Sequence, residues 1–271
     1  LREHGYEAFA VGGCVRDAIL GRIPGDWDIT TSAHPEEVKQ VFGHTIDTGL
    51  QHGTVTVMRD HIGYEITTYR IDGEYEDGRH PKEVVFTAEL REDLRRRDFT
   101  INAMAYSHET GIVDIFGGAE DLAARRIRCV GDAGERFTED ALRILRAVRF
   151  SAQLGFSIEK KTWQALCELA PSLVHVSKER VQVELTKTLL SDRPEFIWKT
   201  EAAGLAPYIS KTFPEVFAAW KKQKSCAKQS LEEKVCSKDV PVADKDAIKT
   251  ETVAQQGHMF VKHECETDMA G

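Results

Sequence analysis

Residues 9–31 read FAVGGCVRDAILGRIPGDWDITT, and this stretch predicts how the fold begins. Its first apolar residues predict a short strand, which turns at Gly12-Gly13 into a helix that begins near Cys14. Backbone N–H groups at the start of a helix bind phosphate, and glycine lets the phosphate approach closely. We therefore expect Gly13, with Arg16 nearby, to bind a phosphate group.

Two carboxylates, Asp26 and Asp28, follow the glycine turn on a second apolar stretch. Residues i and i+2 of a strand point to the same face, so these carboxylates would lie side by side while Trp27 packs on the opposite face. Such hard oxygen ligands suit Mg²⁺. An isolated Asp-x-Asp is more often a turn or a solvated edge. Close to Gly13 and Arg16, however, Asp26 and Asp28 predict a metal-dependent triphosphate site in which they are the catalytic metal ligands.

A helix is predicted from Glu139 to Leu154, and Asp140 and Arg143 lie away from its apolar face. A carboxylate accepts a hydrogen bond from an amino group, and a guanidinium donates to a ring nitrogen. Cytosine and adenine offer both partners, whereas uracil and guanine present the reverse pattern. An Asp140–Arg143 pair would therefore select C and A, because U or G would leave buried polar groups unpaired. The alternative is an ordinary helix with solvated charge pairs.

Further motifs follow in a fixed order. They are EITTYR (65–70), RRDFTINA (96–103), DIFGG (114–118), EDALRILRAVRF (139–150) and, more weakly, SxERVxxEL (177–185). With the motifs of residues 12–31, this series resembles the class II nucleotidyltransferases, the family of tRNA CCA-adding enzymes and bacterial poly(A) polymerases. The resemblance covers roughly residues 5–205.

The resemblance implies an α+β nucleotidyltransferase head with a small mixed sheet and flanking helices, followed by an all-helical neck. We expect the head at residues 1–128, the neck at 129–210 and a low-periodicity tail at 211–271, with the family's body and tail domains truncated. The resemblance also implies roles for individual residues. Asp140 and Arg143 would be the template for the incoming base. The residues expected to contact the sugar and phosphates are Arg97, Asp98, Arg146 and Arg149.

The implied activity is template-independent addition of CCA, from CTP and ATP, to the 3′ acceptor end of tRNA, with two Mg²⁺ ions at Asp26 and Asp28. Alternatives with the same chemistry are A-only addition, CC-only addition and poly(A) synthesis. The loop at 71–81 argues against CC-only addition, because CC-adding relatives shorten that region. Ala141 after Asp140 favours CCA enzymes over the polymerase form. An inactive RNA-binding or nucleotide-binding remnant is the alternative from another class. Glu65 stays outside the predicted metal set.

Composition predicts a cytoplasmic protein without a membrane partner. No apolar run approaches membrane-spanning length, and the six cysteines include no C-x-x-C pair, which favours free thiols. The net charge of −8 is unusual for an RNA-binding protein, but basic residues cluster at 95–97 and 143–149. The sequence does not indicate an oligomeric state.

Five local elements are also predicted. They are a helix from Pro35 to Phe42 with Ser32 as its N-cap, an antiparallel hairpin of Thr54–Met58 and Tyr64–Tyr69, an irregular loop from Ile71 to Pro81, and two helices at Glu159–Leu169 and Ser177–Leu190.

Overall fold

The computed structural model describes residues 1–73 and 84–219, which contain a seven-stranded sheet and helices around it. The strands are β1 (Ala8–Val11), β2 (Asp28–Thr31), β3 (Thr45–Gly49), β4 (Thr54–Arg59), β5 (Ile62–Thr68), β6 (Arg70–Asp72), β7 (Val84–Phe86), β8 (Met104–Ser107), β9 (Gly111–Asp114), β10 (Arg126–Ile127) and β11 (Ser157–Ile158). The helices are α1 (Gly13–Ile19), α2 (Pro35–Val41), α3 (Leu90–Arg95), α4 (Gly118–Ala123), α5 (Ala133–Glu139), α6 (Leu142–Leu154), α7 (Lys160–Glu168), α8 (Lys178–Leu189), α9 (Trp198–Ala202) and α10 (Ala206–Ile209).

The central sheet has the strand order β3-β4-β5-β2-β1-β8-β9. Neighbouring strands are antiparallel except β2 and β5, which run parallel and place Asp28 directly opposite Glu65. The sheet is therefore mixed, and from residue 133 onward the described chain is mainly helical. This arrangement confirms the predicted α+β class with a mixed sheet, flanking helices and a helical segment after them.

The predicted strand–turn–helix at the start of the chain is confirmed. Strand β1 ends at Val11, and α1 begins at Gly13. Gly12 has a φ of 82°, a left-handed conformation that L side chains rarely adopt, so glycine suits this turn. The predicted hairpin is also confirmed as β4 and β5, and its turn places Asp60 and His61 at positive φ.

The predictions for Ser32 and for the loop at 71–81 need correction. Ser32 is not the N-cap of α2, since the helix begins at Pro35 after His34, whose N–H donates to the Glu37 carboxylate at 2.7 Å. The Ser32 hydroxyl instead accepts from the N–H of Glu7 at 2.9 Å. The predicted loop at 71–81 begins within β6, which pairs with β7, and its residues 74–83 lie outside the described residues.

The predicted helix from Glu139 to Leu154 is interrupted. Helix α5 ends at Glu139, Asp140 has extended backbone angles, and α6 begins at Leu142. The Asp140 carboxylate accepts from the N–H of Leu142 at 3.0 Å, so this side chain satisfies a free N–H group of the new helix. Asp140 therefore lies at a helix junction. The helices predicted near 159–169 and 177–190 are confirmed as α7 and α8.

The main core joins the sheet side of the molecule to the helical side. Buried side chains from both parts meet in it, including Phe99, Phe137, Ile144 and Leu166. This shared apolar contact fixes the position of α6 relative to the segment that carries Arg97 and Asp98. Among the described helices, none is both long and apolar enough to cross a membrane.

Candidate active site

The carboxylates Asp26 and Asp28 lie at the N-terminal end of β2. The strand begins at Asp28, so Asp26 and Trp27 precede it, and strand alternation does not orient them. Trp27 is accordingly 44% exposed, and the expectation that it packs is wrong. Burial raises the pKa of Asp28, and the nearby charge of Asp26 raises it further. The negative charges thus lie close enough together to disfavour one another.

Glu65 adds to this negative field from the neighbouring strand. It lies in register with Asp28 and also raises the pKa of that carboxyl, whereas Arg97 opposes the effect. Hard oxygen donors with excess negative charge fit a divalent cation. Within residues 1–73 and 84–219, no group of three or more His, Cys, Asp or Glu side chains is placed to hold a metal. A cation held by the Asp26–Asp28 pair would complete its coordination with water or with substrate oxygens.

Arg97 connects these carboxylates to the glycine turn. Its guanidinium donates to Asp93 at 3.4 Å, and burial lowers its pKa while Asp93 and Asp28 raise it. A Cβ atom on Gly12 would lie 2.9 Å from Nη1 of Arg97, so the absence of a side chain there makes room for the guanidinium. The Nε atom of Arg97 is buried without a hydrogen-bond partner among the described residues. A buried donor of this kind suits an anionic ligand.

Asp98 is held by a buried network. Its carboxylate accepts from the side chain of Arg146 at 2.8 Å and from the amide of Asn102 at 3.1 Å. The side-chain oxygen Oδ1 of Asn102 accepts from Arg16 at 2.7 Å. One connected series of hydrogen bonds therefore runs through Arg16, Asn102, Asp98 and Arg146. Burial alone would raise the pKa of Asp98, but Arg146, Asn102 and Arg143 together lower it to about 2. The carboxylate is therefore ionised at neutral pH.

Asp140 and Arg143 are held by different partners. Arg180 of α8 donates to Asp140 at 2.8 Å. Arg143 donates to Glu139 at 2.6 Å and to the carbonyl oxygen of Arg96 at 3.1 Å. No hydrogen bond joins the Asp140 and Arg143 side chains to each other in the described structure. Both residues flank the start of α6, the helix that also carries Arg146.

Arg149 lies further along α6, beside the Phe150 ring that Arg16 and Arg146 also contact. It is buried, its Nε donates to Glu184 of α8 at 2.6 Å, and its guanidinium lies 4.1 Å from the centre of the Phe150 ring. The contact with Glu184 joins α6 to α8. Arg149 therefore contributes to helix packing, and its role in contacting the sugar and phosphates stays a prediction.

Sequence reasoning missed three residues that position the others. Asp93 is fully buried and pairs with both Arg96 and Arg97. Asn102 bridges Arg16 and Asp98. Arg180 lies within the weak motif at 177–185, but the motif alone gave it no partner. The i,i+4 spacing of Asp93 and Arg97 was a usable signal, whereas the contacts of Asn102 and Arg180 depend on the tertiary fold.

Comparisons with known proteins identify similar chains. Residues 8–128 match the model of the poly A polymerase head domain, and residues 155–212 match that of a probable RNA and SrmB-binding site of polymerase A. The chain is 55% identical over 193 residues to a CCA-adding enzyme of Leuconostoc mesenteroides, covering 71% of this chain and 48% of the relative. A CCA-adding enzyme of Enterococcus faecalis is 48% identical over 209 residues, which are 77% of this chain and 50% of the relative.

Solved structures give the same result. The crystal structure of the Bacillus stearothermophilus CCA-adding enzyme in complex with CTP has a TM-score of 0.72 and 46% identity, covering 77% of this chain and 51% of that one. A Thermotoga maritima CCA-adding enzyme complexed with tRNA has a TM-score of 0.63 and 27% identity over 76% of this chain and 49% of that one. The chain thus spans about half the length of the relatives it matches. From these matches and the ordered motifs, the chain belongs to the class II tRNA nucleotidyltransferase and poly(A) polymerase family.

Proposed function

We propose that this chain carries the catalytic head and base-selecting neck of a tRNA nucleotidyltransferase, which adds C and A from CTP and ATP to tRNA 3′ ends. The observation that carries the proposal is the Asp26–Asp28 pair beside Arg97 at the Gly12 turn, since it combines a cation site with a buried guanidinium for phosphate. Several relatives at about 50% identity are CCA-adding enzymes, which favours CCA addition over poly(A) synthesis.

The proposed metal is Mg²⁺, held by Asp26 and Asp28. When bound, two such ions would activate the 3′-hydroxyl of the RNA and offset the charge of the departing pyrophosphate. The protein's own groups then have two tasks. Gly13 leaves room for the triphosphate to approach the backbone, and Arg16 and Arg97 bind and orient it so that the α-phosphate faces the hydroxyl. No covalent intermediate with the protein is required.

Base and sugar selection are proposed for the α6 side of the site. Asp98 is ionised, and its oxygens already accept from the N–H of Phe99, the amide of Asn102 and the guanidinium of Arg146. The proposed ribose hydroxyl would therefore bind Asp98 by replacing one of these donors. Asp140 and Arg143 would read the amino group and the ring nitrogen of C or A. Arg143 reaches the backbone of Arg96, one residue before Arg97, which supports a link between base selection and phosphate binding.

The RNA partner is proposed to be the 3′ acceptor end of tRNA, in the cytoplasm, where tRNA, CTP and ATP occur together. Residues 155–212 match a probable RNA-binding model, so the helices after Gly155 are the proposed RNA contact. We also propose domain limits of 1–128, 129–210 and 211–271, and residues 220–271 of the last lie outside the described residues.

The test is incubation of the chain with tRNA lacking its 3′ CCA, Mg²⁺ and each labelled NTP separately and in combination. We expect incorporation of C from CTP, of A only after C, and of neither U nor G. Long A tracts from ATP alone would indicate a poly(A) polymerase. No incorporation with any nucleotide would overturn the proposal.

Asp28→Asn separates catalysis from stability. We expect it to slow incorporation by about a thousandfold, because metal ligands contribute several kcal/mol to the transition state. Its thermal midpoint without metal should equal or exceed that of the wild type. Burial and the charge of Asp26 raise the pKa of Asp28, so folding disfavours its charged form, and asparagine carries no charge. Asp60→Asn is the control, since this side chain is 92% exposed on the hairpin turn. Near-normal turnover of Asp28→Asn would contradict the metal assignment.

A further inference from the structure

Arg180 forms a forked contact with Asp140 across forty residues of chain. Its Nη2 lies 2.8 Å from Oδ2 of Asp140, and its Nη1 lies 3.3 Å from Oδ1. Both side chains are mostly shielded from solvent, with exposed fractions of 23% for Arg180 and 16% for Asp140. Two parallel N–H···O bonds fix the plane of a carboxylate more firmly than one bond does.

This contact leaves Asp140 with limited capacity for a ligand. An ionised carboxylate has about four acceptor positions, and here Oδ1 also accepts from the N–H of Leu142. The described hydrogen bonds therefore occupy three positions, two on Oδ1 and one on Oδ2. The remaining position is on Oδ2, and it can accept one further N–H donor. The exocyclic amino group of C or A is such a donor. The carbonyl oxygen that U or G presents at the same place would face Oδ2 of Asp140, which is also an acceptor.

A second contact keeps Arg180 in place. One helical turn further along α8, Glu184 pairs with Arg149 of α6 at 2.6 Å, and both side chains are buried. Helix α8 is thus attached to the start and to the middle of the α6 region. Because buried ion pairs are sensitive to geometry, these two attachments fix the position of Arg180 relative to Asp140.

We propose that Arg180 is a positioning residue for base selection. It lies in the RNA-binding part of the chain and aims the Asp140 carboxylate at the amino group of the incoming C or A. This inference rests on the proposed function. Arg180 acts through Asp140 and is not expected to touch the nucleotide. Base choice then depends on the placement of α8, within the segment that matches the RNA-binding model.

The test measures equilibrium binding of CTP and UTP to the intact chain with Mg²⁺ and without RNA, for the wild type, Arg180→Gln and Arg180→Lys. We expect Arg180→Gln to reduce the preference for CTP over UTP by about tenfold, the value of one well-placed hydrogen bond to a charged group. Arg180→Lys keeps a charge but loses the fork, so its preference should be intermediate. Lys187→Gln removes an exposed charge from the same helix and should retain the full preference.

A double-variant comparison separates positioning from general support of the fold. If Arg180 acts through Asp140, adding Arg180→Gln to Asp140→Ala should change the CTP/UTP ratio by less than about twofold. A merely structural Arg180 would lower the thermal midpoint and weaken both nucleotides equally, leaving the ratio unchanged. That result, or an additive effect in the double variant, would overturn the inference.

The proposed function can fail separately. A wild-type chain that binds neither CTP nor UTP would overturn the function and this inference together. A wild type that selects CTP, beside an Arg180→Gln variant that selects it equally well, would overturn only the inference.

Discussion

Asp98→Asn should destabilise the protein in a way that depends on pH. Asp98 is buried, accepts from Arg146 and Asn102, and has a pKa of about 2 compared with an ordinary value of 3.8. Asparagine keeps the shape of the side chain but removes the charge that Arg146 requires. The substitution therefore leaves a mostly buried guanidinium without its counter-charge.

The magnitude follows from the pKa. Lowering the pKa from 3.8 to about 2 corresponds to about 2 kcal/mol of stability at neutral pH. Because the folded-state pKa lies below the unfolded one, this contribution is complete above about pH 4 and is lost as the pH falls through 2. At pH 3 about half of it should remain. The pKa shift already includes the pairing with Arg146, so we expect about 2 kcal/mol and a thermal midpoint lower by about 4–8 °C.

The assay is urea unfolding followed by far-UV circular dichroism at pH 7, 5, 4 and 3. The difference in unfolding free energy between the wild type and Asp98→Asn should be largest at pH 7 and shrink towards pH 3. Asp60→Asn, on the exposed hairpin turn, should match the wild type throughout. A difference that stayed constant from pH 7 to pH 3, or that was absent at pH 7, would refute the assignment of Asp98 as an ionised, stabilising partner of Arg146.

Two further predictions concern the glycine turn and the RNA. Gly12→Ala should cost more stability than Gly21→Ala and should weaken CTP binding. Both glycines have positive φ, but only at Gly12 would the new Cβ meet Arg97; equal thermal midpoints and unchanged CTP affinity would contradict this. Binding of tRNA should weaken about tenfold or more between 50 and 200 mM salt in filter-binding assays, because phosphate contacts release counterions, and salt-resistant binding would show that such contacts are minor.

Local sequence signals predicted the parts of the fold that depend on neighbouring residues. The strand–turn–helix around Gly12 follows from a requirement for positive φ, and the β4–β5 hairpin follows from alternation on both sides of a short turn. The break at Asp140 also had a local signal, since aspartate favours helix starts. The apolar residues of α6 recur at helical spacing up to its first residue. That pattern extended the predicted helix back to Glu139 and hid the break at Asp140.

Long-range pairing could not be predicted in this way. Glu65 lies opposite Asp28 only because β2 and β5 run parallel, and nothing near either residue specifies that register. Arg180 meets Asp140 through the packing of α8 on α6. The sequence motifs predicted the candidate residues, whereas their hydrogen-bond and ion-pair partners follow from the tertiary structure.

The carboxylates of the candidate site are of two kinds: some are balanced by counter-charges of the protein, and others are balanced only in part. Asp98 is balanced by Arg146 and Asn102, so its low pKa stabilises the fold. Asp28 is only partly balanced, because Arg97 opposes the combined effect of burial, Asp26 and Glu65. Its raised pKa means that folding disfavours the charged carboxylate at neutral pH. A charge that costs stability inside the chain gains a counter-charge from an external cation, so metal binding should stabilise the fold through Asp28 and not through Asp98.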